Sequence, residues 1–122
     1  MDVLRFEDLP IVFDAGGAQI RATDVGGMTV TFYRLPAGAD ARPLLVGLPG
    51  DACHCPHWAY VITGKVRIHT PTGAVDVNAG EGFHVEPGHA PETLEDTELF
   101  EVSPTPQSHE LWEHLGRLLE VE

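Results

Sequence analysis

Positive charge is scarce in this chain. One lysine and six arginines stand against 19 acidic residues, for a net charge of −12. That balance excludes the electrostatic footprint of a nucleic-acid binder and argues against anionic membrane surfaces, because neither would find counter-charge. Cysteine is also scarce: the only two are Cys53 and Cys55, too few for a disulfide framework and too close in sequence to close anything but a small, strained loop. No stretch approaches the roughly 20 consecutive apolar residues of a membrane span. The first residues, Met1-Asp2-Val3-Leu4-Arg5-Phe6-Glu7-Asp8, lack both a basic run and a long apolar run. These absences predict a cytoplasmic protein with reduced thiols.

Turn formers are plentiful, with 13 glycines and ten prolines scattered through 122 residues. A chain of this length predicts one domain with its own core, built from short segments. Residues 1–16 read as a lead-in with an apolar patch at Leu9-Pro10-Ile11-Val12-Phe13, and 17–104 as a β-barrel. Strands are expected at 18–23 and 27–34, where Met28, Val30 and Phe32 alternate with polar residues around an Asp24-Val25-Gly26-Gly27 turn. Leu44-Leu45-Val46 reads as a short buried strand.

The clearest hairpin signal runs from Trp58 to Thr63, through Gly64, and back along Lys65 to Thr70. Further strands are expected at Ala74–Asn78, Phe83–Glu86 and Glu98–Val102. The period then changes. Leu111, Trp112, Leu115, Leu118 and Leu119 form one helical stripe, predicting a helix over 105–120. The fold class is therefore all-β, a small sandwich or barrel with a C-terminal α-helix.

The densest chemistry lies in Asp51-Ala52-Cys53-His54-Cys55-Pro56-His57-Trp58. Thiolate and imidazole are the strongest side-chain ligands for borderline and soft metals. If 53–57 runs extended, Cys53, Cys55 and His57 share one face and His54 points away. Pro56 disfavours helix at Cys55, in keeping with an extended or turn conformation. Such sulfur-rich coordination favours zinc among the divalent transition metals. The plain alternative is that the cysteines are small buried apolar side chains.

Residues 47–104 resemble a cupin, the small double-stranded β-helix family. Gly64 anchors its first motif, which places the usual glutamate at His57 and the two histidines at Asp51 and Cys53. Gly80 and Gly88 anchor the second motif, whose proline and histidine positions hold Glu86 and Pro91. The four usual ligand positions thus read Asp51, Cys53, His57 and Pro91. His89, two residues before the vacated position and in a Glu86-Pro87-Gly88-His89 turn, is the resemblance's candidate replacement. The implied metal set is Cys53, His57, His89 and Cys55.

The resemblance also implies a small-molecule ligand in the barrel mouth and a homodimer. The dimer would be formed through an outward apolar face at Trp58, Tyr60 and Ile62. Two further readings are a non-enzymatic binding or sensor module and a metal-free nucleophilic or redox cysteine. His84 and His69 read as surface residues. Glu101, between Phe100 and Val102, reads as solvent-facing, with an inward acid or base as the alternative. His109 and His114 are five apart, which does not meet the one-face spacing of a zincin helix.

Overall fold

The computed structural model describes residues 1–120, with side chains described through Leu118; the Leu119 side chain of the apolar stripe lies outside the described residues. Nine strands and one helix follow in order. They are β1 (Ile11–Ala15), β2 (Ala18–Val25), β3 (Met28–Leu35), β4 (His57–Thr63), β5 (Lys65–Thr70), β6 (Gly73–Asn78), β7 (Gly82–Val85), β8 (Ala90–Thr93), β9 (Thr97–Pro104) and α1 (Thr105–Glu120). One six-stranded sheet has the order β1-β2-β3-β9-β4-β7, and a three-stranded sheet the order β6-β5-β8. All pairings are antiparallel.

The all-β barrel with a C-terminal helix is thus the observed architecture. Between the sheets lies a core of Val61, Val66, Ile68, Val77 and Leu99, with Tyr33, Leu35, Phe83 and Val85 packed against it. Val66 and Ile68 alternate with wetter Lys65, Arg67 and His69 along β5, the period-2 pattern of a half-buried strand. His69 meets Glu92 at 2.8 Å on that outer side.

Three expectations need correction. Trp58–Thr63 and Lys65–Thr70 are strands, but they do not pair as a hairpin. β4 lies between β9 and β7 in the large sheet, and β5 between β6 and β8 in the small one. Gly64 turns the chain from one sheet to the other with φ +90°. A Cβ there would collide with the Asp96 carbonyl oxygen and Thr97 Oγ1, and would sit 2.8 Å from Thr97 Cα. Only glycine satisfies both that conformation and that close approach.

Leu44-Leu45-Val46 is not a strand either. Arg42–Leu45 is a 3-10 helix with proline in its first turn, burying Leu45 while Leu44 and Val46 remain exposed. Pro43 has no N–H for a ladder, whereas its fixed φ suits a first helical turn. Finally, β8 was not anticipated. Its Ala-Pro-Glu-Thr sequence carries no strong strand signal, and its pairing with β5 is what forms it.

The large sheet is apolar on both faces. On the outer face Phe32 stacks on Phe100 with ring centroids 5.6 Å apart, and Phe6 packs edge-on against Phe32 at 6.1 Å. Arg34 lies over the Phe6 ring at 3.9 Å. The N-terminal segment therefore covers this part of the sheet, and the alternate residues of β3 and β9 turn inward.

Candidate metal centre and cavity

Cys53 and His89 are 36 positions apart, yet a backbone bridge holds them side by side. The Cys53 N–H donates to the His89 carbonyl at 2.8 Å, and the Gly88 N–H donates to the Cys53 carbonyl at 2.8 Å. Gly88 has φ +102°, which lets the Pro-Gly-His turn close against the Cys53 loop. His57 begins β4 beside this bridge. The Cys53 thiol and ring nitrogens of His57 and His89 all lie within 4.8 Å of one another, and the three residues are buried.

Each imidazole is oriented from behind. His57 Nδ1 lies 2.6 Å from Ser103 Oγ and 3.5 Å from a Glu101 carboxylate oxygen. With the proton on Nδ1 donated to these oxygens, Nε2 presents its lone pair toward Cys53 Sγ, 3.6 Å away. His89 Nδ1 lies 2.7 Å from the Glu86 carbonyl, which can only accept, so Nδ1 carries the proton there too. His89 Nε2 is then a buried acceptor without a hydrogen-bond partner among the described residues. An orphaned buried lone pair is costly unless something occupies it.

These donors fit a metal ion. Zinc–sulfur and zinc–nitrogen bonds of about 2.3 and 2.05 Å at a tetrahedral angle give an S···N edge of about 3.5 Å. The Cys53–His57 separation of 3.6 Å is that edge. Tying Nδ1 to oxygen acceptors is also how ligating histidines are commonly held.

Burial sets the protonation states. Burial pushes the Cys53 thiol up to about 12 and also raises Cys55. It lowers His57 and His89 to about 4 each. It raises Glu101 to about 7, against an opposing hydrogen bond from Tyr33. Tyr33 is raised well above its ordinary value by burial and then by Glu101, so its hydroxyl stays protonated and donates to the carboxylate. His57 and Glu101, though close, are therefore both neutral between about pH 4 and 7 and form no ion pair there. Burial raises both thiols, the opposite of the depressed pKa that a metal-free nucleophilic cysteine requires.

Cys55 stands apart from this group. The chain bends at residue 55 rather than running extended, so the shared face expected for Cys53, Cys55 and His57 does not form. The Cys55 thiol instead lies 3.6 Å from Ser108 Oγ of α1, within an apolar cluster with Leu45, Cys53 and Ala90. His54 points outward and reaches the Pro49 carbonyl at 2.6 Å. His84 is exposed and stacks on Trp58 at 5.0 Å. His109 meets Asp24, and His114 meets the Leu44 carbonyl, away from the centre.

Glu101 reverses its expected direction: it is 7% exposed and faces inward. Tyr33 and Ser103 went unrecognised in the sequence. The signal was present in β9, whose inward residues Thr97, Leu99, Glu101 and Ser103 alternate with Glu98, Phe100, Val102 and Pro104. Leu99 shares a face with Glu101, but so does Phe100 with Val102, and two apolar faces left the parity undecided. Tyr33 pairs with Leu99 and Thr31 with Glu101, so Tyr33 and Glu101 are diagonal neighbours on that inner face.

The centre opens into a cavity of about 570 Å³. Cys53, His57, His89 and Glu101 form part of its wall, with Tyr33, Leu35, Val66, Ile68, Phe83 and Leu99 around them. Phe13 and the α1 residues Leu111, Trp112 and Leu115 also contribute.

No protein-family model and no curated protein matches the chain. Solved structures do. A Lactobacillus farciminis oxalate decarboxylase formate complex matches with TM-score 0.63 at 20% identity over 83% of this chain and 32% of its own. A Bacillus subtilis oxalate decarboxylase studied for its Mn(II) centres matches with TM-score 0.62 at 22% identity, over 83% and 28%. An RmlC-like cupin from Shewanella frigidimarina matches with TM-score 0.61 at 16% identity, over 83% and 88%. The chain spans about a third or less of the decarboxylases it matches, and most of the length of the small cupin. Its fold is the cupin β-barrel.

Proposed function

We propose that this chain is a metal-binding small cupin that takes a small molecule in its barrel mouth, with Cys53, His57 and His89 as the protein ligands. The observation that carries this reading is the buried, unpartnered Nε2 of His89 beside a thiol and a second oriented imidazole. Zinc suits a donor set of one thiolate and two imidazoles. Three protein ligands also leave a coordination position free, the arrangement of catalytic rather than closed structural sites.

When bound, such an ion supplies Lewis-acid polarisation of a substrate oxygen or an activated water. The chain's own contribution is distinct. The Glu86 carbonyl fixes the His89 tautomer, and Ser103 orients the His57 ring. Glu101, neutral below about pH 7 and hydrogen-bonded to Tyr33, holds a proton at the cavity wall beside His57. The second reading is a non-enzymatic metal or small-molecule sensor, which rests on the departure of this ligand set from the four usual cupin positions. Exposed Trp58, Tyr60 and Ile62, on the outer face of β4, support a homodimer. The two free thiols suit a reducing cytoplasm.

Metal analysis of protein purified after growth with added zinc tests the centre. About one equivalent is expected in the wild type, and less than about 0.2 in Cys53→Ala and His89→Ala. A wild-type content below 0.2 equivalents would overturn the reading.

A further inference from the structure

The cavity wall is notable for a charge it does not carry. No lysine or arginine lines it among the described residues. Arg34 is paired with Glu98 at 2.9 Å and Arg67 with Asp76 at 2.7 Å, away from the wall, while half-exposed Arg42 is taken up by two acids that border it, Asp40 at 2.7 Å and Glu92 at 3.8 Å. The acids that border it are the buried Glu101, neutral below about pH 7, and Asp40 and Glu92. The remaining wall is dominated by aliphatic and aromatic side chains from β3, β5, β7, β9 and α1.

An anion entering such a space would lose its hydration with no ammonium or guanidinium to replace it, and an ion held by Cys53, His57 and His89, of net charge +1 beside the thiolate, would offset only one negative charge. A sugar would leave most of its hydroxyls unpaired, because Asp40 and Glu92 are already held by Arg42 and His69 and the remaining titratable and phenolic groups cluster at one end. That end is the Cys53, His57, His89, Glu101 and Tyr33 group. The volume falls within the range of small-molecule sites, which are mostly apolar with a few converging polar groups.

We infer that the cavity takes an uncharged, largely apolar small molecule carrying a single polar group directed at the Cys53–His57–His89–Glu101 end, and that it rejects polyanions such as dicarboxylates and phosphate esters. This rests on the reading of the barrel mouth as the ligand site. It separates this chain from any protein of the same fold that takes a small dianion.

The two tryptophans make the test direct. Trp112 lines the cavity, whereas Trp58 is exposed on the outer face against His84. Chelator-treated Trp58→Phe, with Trp112 as its sole tryptophan, is titrated with the neutral fluorophore N-phenyl-1-naphthylamine. Saturable quenching of Trp112 at micromolar probe is expected, while Trp58 in the Trp112→Phe protein does not respond. Competition should rank 2-naphthol at least tenfold ahead of 2-naphthoate, with malonate and inorganic phosphate inert at millimolar concentration. Absence of probe binding, a response from Trp58 alone, or equal competition by naphthol and naphthoate overturns the inference.

Zinc content measured on parallel untreated samples keeps the two proposals apart. Zinc bound with the probe excluded rejects the apolar ligand and keeps the metal centre. Probe bound to a protein that never takes up zinc does the reverse.

Discussion

Zinc binding by this chain should release a counted number of protons, and the count follows from burial. Above about pH 6 the rings of His57 and His89 are already neutral, since burial holds both near 4. They contribute no protons. The Cys53 thiol, raised to about 12, is protonated throughout the neutral range and must ionise to bind. At pH 7.5 that deprotonation costs about 6 kcal/mol, from 4.5 pH units at about 1.4 kcal/mol each. Zinc sites in small peptides gain about 10–16 kcal/mol at pH 7, enough to drive it.

At pH 8 Glu101 is mostly ionised, so about one proton should leave per ion, all from Cys53. At pH 6 Glu101 is mostly protonated, and the nearby cation should expel much of that proton too, raising the count toward two. Titration calorimetry in two buffers of different ionisation enthalpy measures this directly. Glu101→Gln should hold the count near one at both pH values. Cys53→Ala should release less than about 0.2 protons at pH 8, through whatever weak binding survives. Release below about half a proton by the wild type at pH 8 would refute thiolate ligation, as would equal release by the Cys53 variant.

Five further outcomes follow from the structure. Glu101 has a raised folded pKa, so its contribution favours the fold below about pH 4.5 and is lost as pH rises through about 7. Metal-free Glu101→Gln should therefore gain on wild type between pH 5 and 8, by up to about 3 kcal/mol in urea unfolding; a constant difference counts against the assignment. His57 and His89, buried neutral, act in the opposite sense and should destabilise the metal-free protein as pH falls from 6.5 toward 4. Cys55→Ala should keep full zinc stoichiometry and lose about 1 kcal/mol of stability from the small void beside Ser108 and Leu111; loss of the ion would place Cys55 in the centre. Gly64→Ala should cost more than about 2 kcal/mol, or prevent folding, because its Cβ meets Asp96 and Thr97 backbone. Sedimentation should show a dimer that Trp58→Glu dissociates; a monomeric wild type removes that assembly.

Much of the scaffold can be read along the chain because its signals are local. Alternation in Met28–Phe32 and Lys65–Thr70, the turn pairs around them, and the Leu111–Leu118 stripe each depend on neighbours a few residues apart. The Cys53–His57 spacing is similarly local, and it brought two of the three clustered donors into view. The shared face expected for Cys55 does not form because that argument assumes extended backbone, and the chain bends there to seat the thiol against Ser108 of a distant helix. The hairpin through Gly64 failed because glycine permits a turn within one sheet or a passage between two, and the identity of residues 58–70 does not choose.

What the sequence by itself determined is therefore the inventory: short strands, one amphipathic helix, a thiol–imidazole cluster and an acidic surface. What the tertiary structure decided is which members meet and which way they face. Period-2 alternation says that Leu99, Glu101 and Ser103 share a side, and that Phe100 and Val102 share the other. It cannot say which side is inside when both contain apolar residues. The Phe6–Phe32–Phe100 stack covers the outer face. That leaves Glu101 and Ser103 to face inward behind His57, while a bridge across 36 positions brings His89 to Cys53. Long-range pairing fixes both choices, because register and burial are properties of the assembled sheets and not of any one strand.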